Sequence, residues 1–183
     1  MTPAASARLA WAAEVAAPRP DDRVLEVGCG HGVLLSLLAA RLTSGSVLGL
    51  DRSATMTAAA AARNAIGPDT ARVQVQTAEL LAAGLPDAAF DLVVAVHVGA
   101  FWRAPAEEYG TVRRVLAEHG RLVLVDQPLR PVPPLTLADR VATLAAPHGL
   151  TVTAVHTGDT PPRPSVAVEL GRVAGERAPG TGA

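Results

Sequence analysis

The chain has no lysine, since all sixteen of its basic residues are arginine. That absence excludes Schiff-base chemistry, a lysine general base and the lysine of a phosphate-binding P-loop. A single cysteine, Cys29, excludes an internal disulfide framework and any multi-cysteine zinc site. Net charge is only −1, and the arginines are scattered instead of gathered into a stripe or arm. This argues against duplex nucleic acid or an anionic membrane surface as an obligate partner, because both reward clustered positive charge. No segment approaches the ~20 apolar residues of a membrane span, and the amino end "MTPAASARLAWAAEVAAPRP" lacks the uninterrupted apolar stretch of a secretory signal. A soluble cytoplasmic protein is the expectation.

What is present is enough apolar material for one core: 49% of 183 residues are hydrophobic, which suits a single domain. From Arg23 onward, short β-branched runs alternate with alanine-rich and leucine-rich helical patterns. Strands are expected at 23–28, 46–50, 72–76, 90–96 and 121–126, then at 150–156 and 165–173. Helical patterns lie between the first five, among them "VLLSLLAARL", "ATMTAAAAARNA" and "PAEEYGTVRRVLAEHG". In the last of these, Pro105 suits a first helical turn and Gly120 a stop. Strand then helix, repeated, predicts a parallel α/β sheet covered on both faces, a doubly wound Rossmann-like arrangement. Only "TGDTPPRP" separates the last two strands, too little for a parallel crossover, so an antiparallel pair should close one end. Residues 1–20 read as an amino-terminal helical segment with Leu9, Trp11, Ala12 and Val15 able to pack. Residues 21–174 read as the domain, and 175–183 as a disordered tail.

The informative stretch is "VLEVGCGHGVLLSLLAARL". Gly28, Gly30 and Gly32 sit where the first strand gives way to a helix, and glycines there permit positive φ and clear β-carbons from the path of a ligand. Amides at the start of the following helix favour an electron-rich group. A dinucleotide loop reads G-x-G-x-x-G, whereas this one reads G-x-G-x-G with Val33 at the third glycine's place, which disfavours NAD. Asp51, just past the second strand, is placed to accept from two ribose hydroxyls, a geometry common to several adenosine-binding sheets.

Together, "VLEVGCGHG", "VLGLDRS", "FDLVVAVHV" and "RLVLVD" resemble the class I S-adenosylmethionine-dependent methyltransferases, from about Arg23 to Val173. The resemblance implies a seven-stranded sheet of order 3-2-1-4-5-7-6 with its last strand antiparallel. It also implies S-adenosylmethionine as cofactor, S-adenosylhomocysteine as product and methyl transfer as the activity. Carried over by position, Glu26 orients the glycine loop and the methionine amino group. Gly28, Cys29, Gly30 and Gly32 form the floor, with Cys29 filling space beneath it, and Asp51 holds the ribose, with Arg52 beside it. Val96 and His97 line the sulfonium side. Thr77 stands where the family often has an acid or amide toward adenine; Ala78, Glu79 or a backbone carbonyl are the other candidates.

His97 is the one expected catalytic residue, as a general base at the carboxyl end of a central strand, although a histidine there can equally just shape the pocket. Phe101 and Trp102 either wall an acceptor pocket or anchor their loop, and "QPLRPVPP" either borders the acceptor or leads to the next helix. The sulfonium methyl is already activated, so positioning is the main requirement. With about 20 residues before the first strand, the pocket should be open unless a partner chain, such as the second copy of a homodimer, closes it. The acceptor is expected to be a small molecule methylated at oxygen or nitrogen. The rival reading is a catalytically weak cofactor-binding partner protein; a nicotinamide oxidoreductase is a third.

Overall fold

A computed structural model describes residues 7–65 and 70–173. The expected tail at 175–183 lies outside them. Seven strands form one sheet in the order β3-β2-β1-β4-β5-β7-β6. They are β1 (Arg23–Val27), β2 (Ser46–Asp51), β3 (Val73–Thr77), β4 (Phe90–Val96), β5 (Leu116–Asp126), β6 (Leu150–Gly158) and β7 (Ser165–Arg172). All pairings among β1 to β5 are parallel, while β7 runs antiparallel to both β5 and β6. The order and the antiparallel last strand are those that the glycine-loop resemblance implied.

Alternation along the strands splits the core into two layers. Leu25 and Val27 of β1, Val93 and Ala95 of β4, and Leu122 and Leu124 of β5 face one way, toward α4 (Glu108–Val115) and α5 (Pro134–Ala145). Val24, Leu92, Val94, Val123 and Val125 face the other, toward α1 (Ala7–Ala16), α2 (Val33–Ala39) and α3 (Ala54–Asn64). Strands buried on both faces leave polar groups a place only at the strand ends. Helix α1 belongs to this packing: Ala12, Ala13 and Ala16 are fully buried, and Leu9, Trp11 and Val15 pack around them. No described helix is long and apolar enough to cross a membrane.

The fourth helix departs from its expected bounds. It begins at Glu108, not near Pro105, because Ala106 has φ +55 and a left-handed residue cannot continue a right-handed helix. It ends at Val115, where Leu116 turns extended and pairs with Phe90, so β5 starts five residues early. Gly120 therefore does not stop a helix. It lies in the irregular stretch between Phe90↔Leu116 and Leu92↔Arg121, where a β-carbon would come within 3.0 Å of the Phe90 carbonyl oxygen. Proline-rich residues after β5 lead into α5, with Pro134 in its first turn.

The loop glycines serve different needs. All three have positive φ, but a β-carbon on Gly32 would lie 2.9 Å from Ala60 Cα, whereas one on Gly30 would meet no atom within 4 Å. Gly32→Ala should accordingly destabilise the fold by about 3 kcal/mol, through left-handed strain plus overpacking against α3. Gly30→Ala should carry the backbone penalty alone, about 1 kcal/mol. Urea denaturation of the two variants checks this, and equal losses would refute the packing account.

Candidate active site

Strand order reverses between β1 and β4, where doubly wound sheets open a crevice at the carboxyl ends of their strands. A cavity of about 500 Å³ occupies that place. Its floor is Val27, Gly28, Leu50 and Val96; Asp51, Arg52, Ala78, Glu79 and Leu80 form one end, and His97 to Ala100 with Arg103 and Glu108 the other.

Asp51 joins the glycine loop to the second strand. Its Oδ2 accepts from the Gly30 amide at 3.0 Å and its Oδ1 from the Ser53 amide at 2.9 Å. Gly28 and Cys29 both donate to the Leu50 carbonyl at 2.8 Å, which pins the loop before it enters α2. Each Asp51 oxygen keeps lone-pair capacity toward the cavity.

Glu26 lies beneath the loop, 3% exposed, instead of on the cavity wall. The amide of Leu35, in the first turn of α2, donates to its carboxyl, yet Oε2 is buried without a hydrogen-bond partner. Burial, and then the nearby Asp51 charge, hold its pKa well above the ordinary range. Cys29 is also buried, and burial with the Glu26 and Asp51 charges pushes its thiol up to about 12, so it has no nucleophilic character near neutral pH.

His97 faces the cavity in a left-handed conformation, φ +57. Its amide donates to the Val125 carbonyl at 2.9 Å, extending the β4–β5 pairing by one residue. The ring reaches sideways to the end of β5, where Nδ1 lies 2.9 Å from Asp126 Oδ1. The His97 hydrogen bond holds the Asp126 carboxyl below the usual carboxylate range against the opposing effect of burial. With Nδ1–H committed to Asp126, neutral His97 presents Nε2 as an acceptor. Asp126 is secured by Gln127, whose amide donates to Oδ1 at 2.8 Å and whose buried side chain donates to the Thr160 and Arg163 carbonyls at 2.7 and 2.6 Å.

Of the residues picked out in the sequence, Gly28, Asp51, Arg52, Ala78, Glu79, Val96 and His97 line the cavity. Cys29, Gly30 and Gly32 belong to the loop that bounds it, and Glu26, on β1, lies beneath that loop. Thr77 is turned aside: its hydroxyl meets the Thr57 hydroxyl at 2.6 Å, on α3. Asp126 and Arg103 were not picked out, because no local pattern marks either.

The sheet and crevice define a Rossmann-like methyltransferase fold. A model of the methyltransferase domain matches residues 24–120, more than half of the chain, and the protein belongs to that family. Nocamycin O-methyltransferase of Saccharothrix syringae is 32% identical over 126 residues, covering 67% of this chain and 42% of that protein. A transposon protein of Streptomyces fradiae is 34% identical over 107 residues, covering 58% of this chain and 30% of the other, so the chain spans less than half the length of these curated relatives. Among solved structures, an S-adenosylmethionine-dependent methyltransferase from Aquifex aeolicus superimposes with a TM-score of 0.69 at 19% identity, covering 86% of this chain and 85% of that one. A geranyl diphosphate C-methyltransferase from Streptomyces coelicolor, solved with geranyl diphosphate and S-adenosylhomocysteine, gives 0.71 at 13% identity, covering 90% and 76%. At such identities the structures speak for the fold alone.

The buried acid generates a pH dependence. A carboxyl whose pKa is raised on folding favours the native state below its unfolded value of about 4.3, and that advantage is lost as pH rises through the raised pKa. Glu26→Gln should therefore flatten the decline in melting temperature of the ligand-free protein between pH 5 and 8. Parallel declines in variant and wild type would show that Glu26 is not the buried acid responsible.

Proposed function

We propose that residues 21–174 form an S-adenosylmethionine-dependent methyltransferase that acts on a small-molecule hydroxyl. The observation that carries this reading is His97, paired with Asp126, on the same cavity as Gly28 and Asp51. An acceptor that is already nucleophilic needs no base, so a base with a fixed tautomer fits an acceptor that must shed a proton.

The residues fit the cofactor. Asp51 would take the ribose hydroxyls on its remaining lone pairs, and the open space at Gly30 would admit the ligand against the backbone. Leu50 and Leu80 would sandwich the apolar part of the adenosine, with Ala78 and Glu79 at its edge. Glu26, with its unpartnered oxygen beneath the loop, would answer the positive charge of the methionine end. The bound cofactor would supply a methyl group activated by a sulfonium. His97 Nε2 would take the acceptor's proton while Asp126 stabilises the imidazolium.

Calorimetry with S-adenosylmethionine and S-adenosylhomocysteine, with NADH in parallel, tests the cofactor assignment. Micromolar binding of the sulfur compounds and none of NADH is expected, and the opposite pattern would overturn the reading. Asp51→Ala should weaken S-adenosylhomocysteine by about 2 kcal/mol, roughly 30-fold, as the loss of charged hydrogen bonds requires. His97→Ala should lower turnover by about 10²-fold with cofactor affinity unchanged; a loss of affinity instead would make His97 a wall residue and not a base.

A further inference from the structure

The wall beside His97 gives the acceptor a chemical character. The few aromatic residues there face away from the cavity: Phe101 and Tyr109 are fully buried, and their rings meet edge-on with centroids 5.3 Å apart. Tyr109 donates its hydroxyl to the Phe101 carbonyl at 2.8 Å, fixing the short 3₁₀ turn Gly99–Trp102 to the core. What the fixed turn offers the cavity is Val98, Gly99 and Ala100, together with two charged side chains, Arg103 and Glu108.

Arg103 folds back over this turn. A β-carbon on Gly99 would stand 2.7 Å from its Nη2, and its Nε donates to the Gly99 carbonyl at 3.4 Å. The guanidinium thus leans on a peptide two residues beyond His97. Among the described residues its terminal nitrogens have no hydrogen-bond partner, and no carboxylate, Glu108 included, lies within ion-pair distance. Some arginines elsewhere are paired, as Arg23 is with Asp91 and Arg121 with Glu169, whereas the exposed Arg103, like Arg52 at the far end of the cavity, is left open. Here a two-pronged donor is left open on a cavity wall, and such a fork matches a carboxylate bidentately. Asp51, Glu79 and Glu108 line the same cavity and outnumber Arg52 and Arg103, which disfavours a multiply charged anion.

Resting on the methyltransferase reading, we propose that the acceptor is a hydroxy acid held by a single carboxylate on Arg103, with its hydroxyl directed to His97. The hydroxyl proton passes to His97 Nε2 and the oxygen forms the new C–O bond. The C–S bond that breaks leaves its electron pair on sulfur, and the carboxylate is a handle that is not consumed. A carboxylate methylated directly would leave the His97–Asp126 base idle.

The test is calorimetry on the full chain saturated with S-adenosylhomocysteine. 4-Hydroxybenzoate and 4-hydroxycinnamate are each titrated against their neutral amides, with phenyl phosphate as the doubly charged probe. The acids should bind at least tenfold more tightly than the amides and than phenyl phosphate. In Arg103→Gln the preference over the amides should fall to within twofold while S-adenosylhomocysteine affinity stays unchanged, and Arg103→Lys should restore part of it. Acids and amides that bind alike, no binding of either, a preference that survives Arg103→Gln, or tighter phenyl phosphate would each overturn the hydroxy-acid assignment and leave the methyltransferase reading standing. Failure of S-adenosylhomocysteine itself to bind would instead bring down the methyltransferase reading.

Discussion

Two chain reversals that share no sequence are locked together by one carboxylate, that of Asp51. The glycine loop passes from β1 into α2 through three left-handed residues, a conformation that unfolded glycines have every entropic reason to leave. It persists because its amides are claimed from β2: Leu50 takes Gly28 and Cys29, and Asp51 takes Gly30. The same side chain takes Ser53, which opens α3, and α3 in turn presses Ala60 and Asn64 against Gly32. Removing Asp51 would therefore loosen the loop as well as strip the site of an acceptor, and this is why cofactor affinity and loop order should be lost together.

The buried Glu26 has the opposite energetic sign. An orphaned carboxyl oxygen under the loop costs free energy, and burial disfavours the charged form, raising the pKa well above the ordinary range. A cation above it would reverse that preference. A positively charged ligand would thus relieve an unfavourable arrangement, a kind of local conflict that functional sites retain.

Much of this could be read from the chain because it depends on short-range rules. Strand alternation, the glycine spacing and the acid after β2 are local patterns, and they led to the strands, the antiparallel closing pair, the loop and Asp51, while the full sheet order came only from the family resemblance. What escaped depends on register or on single backbone angles. His97 and Asp126 are brought together by the pairing of Val96 with Val125 and by the left-handed turn at His97, neither of which has a sequence signal. A φ of +55 at Ala106 shifted the fourth helix, and a hydroxyl contact with Thr57 drew Thr77 away from the cavity. The aromatic residues were ambiguous between wall and anchor until their burial was known.

That last ambiguity bears on specificity. In a chain with 3% aromatic residues, spending Phe101 and Tyr109 on anchorage leaves the acceptor wall with backbone, small side chains and charge. Stacking and hydrophobic shape can then contribute little to discrimination, and an apolar pocket would in any case reject close analogues by only about 1–3 kcal/mol per methylene. For the proposed hydroxy-acid acceptor, charge pairing with Arg103 and the hydroxyl's fit to His97 would do the selecting. What is fixed is the backbone from which the arginine reaches: the turn before it is bolted to the core by a buried tyrosine, and the exposed side chain is held by its Nε contact with the Gly99 carbonyl at 3.4 Å. The anchoring aromatics thus act on specificity at one remove, by fixing the place from which Arg103 reaches.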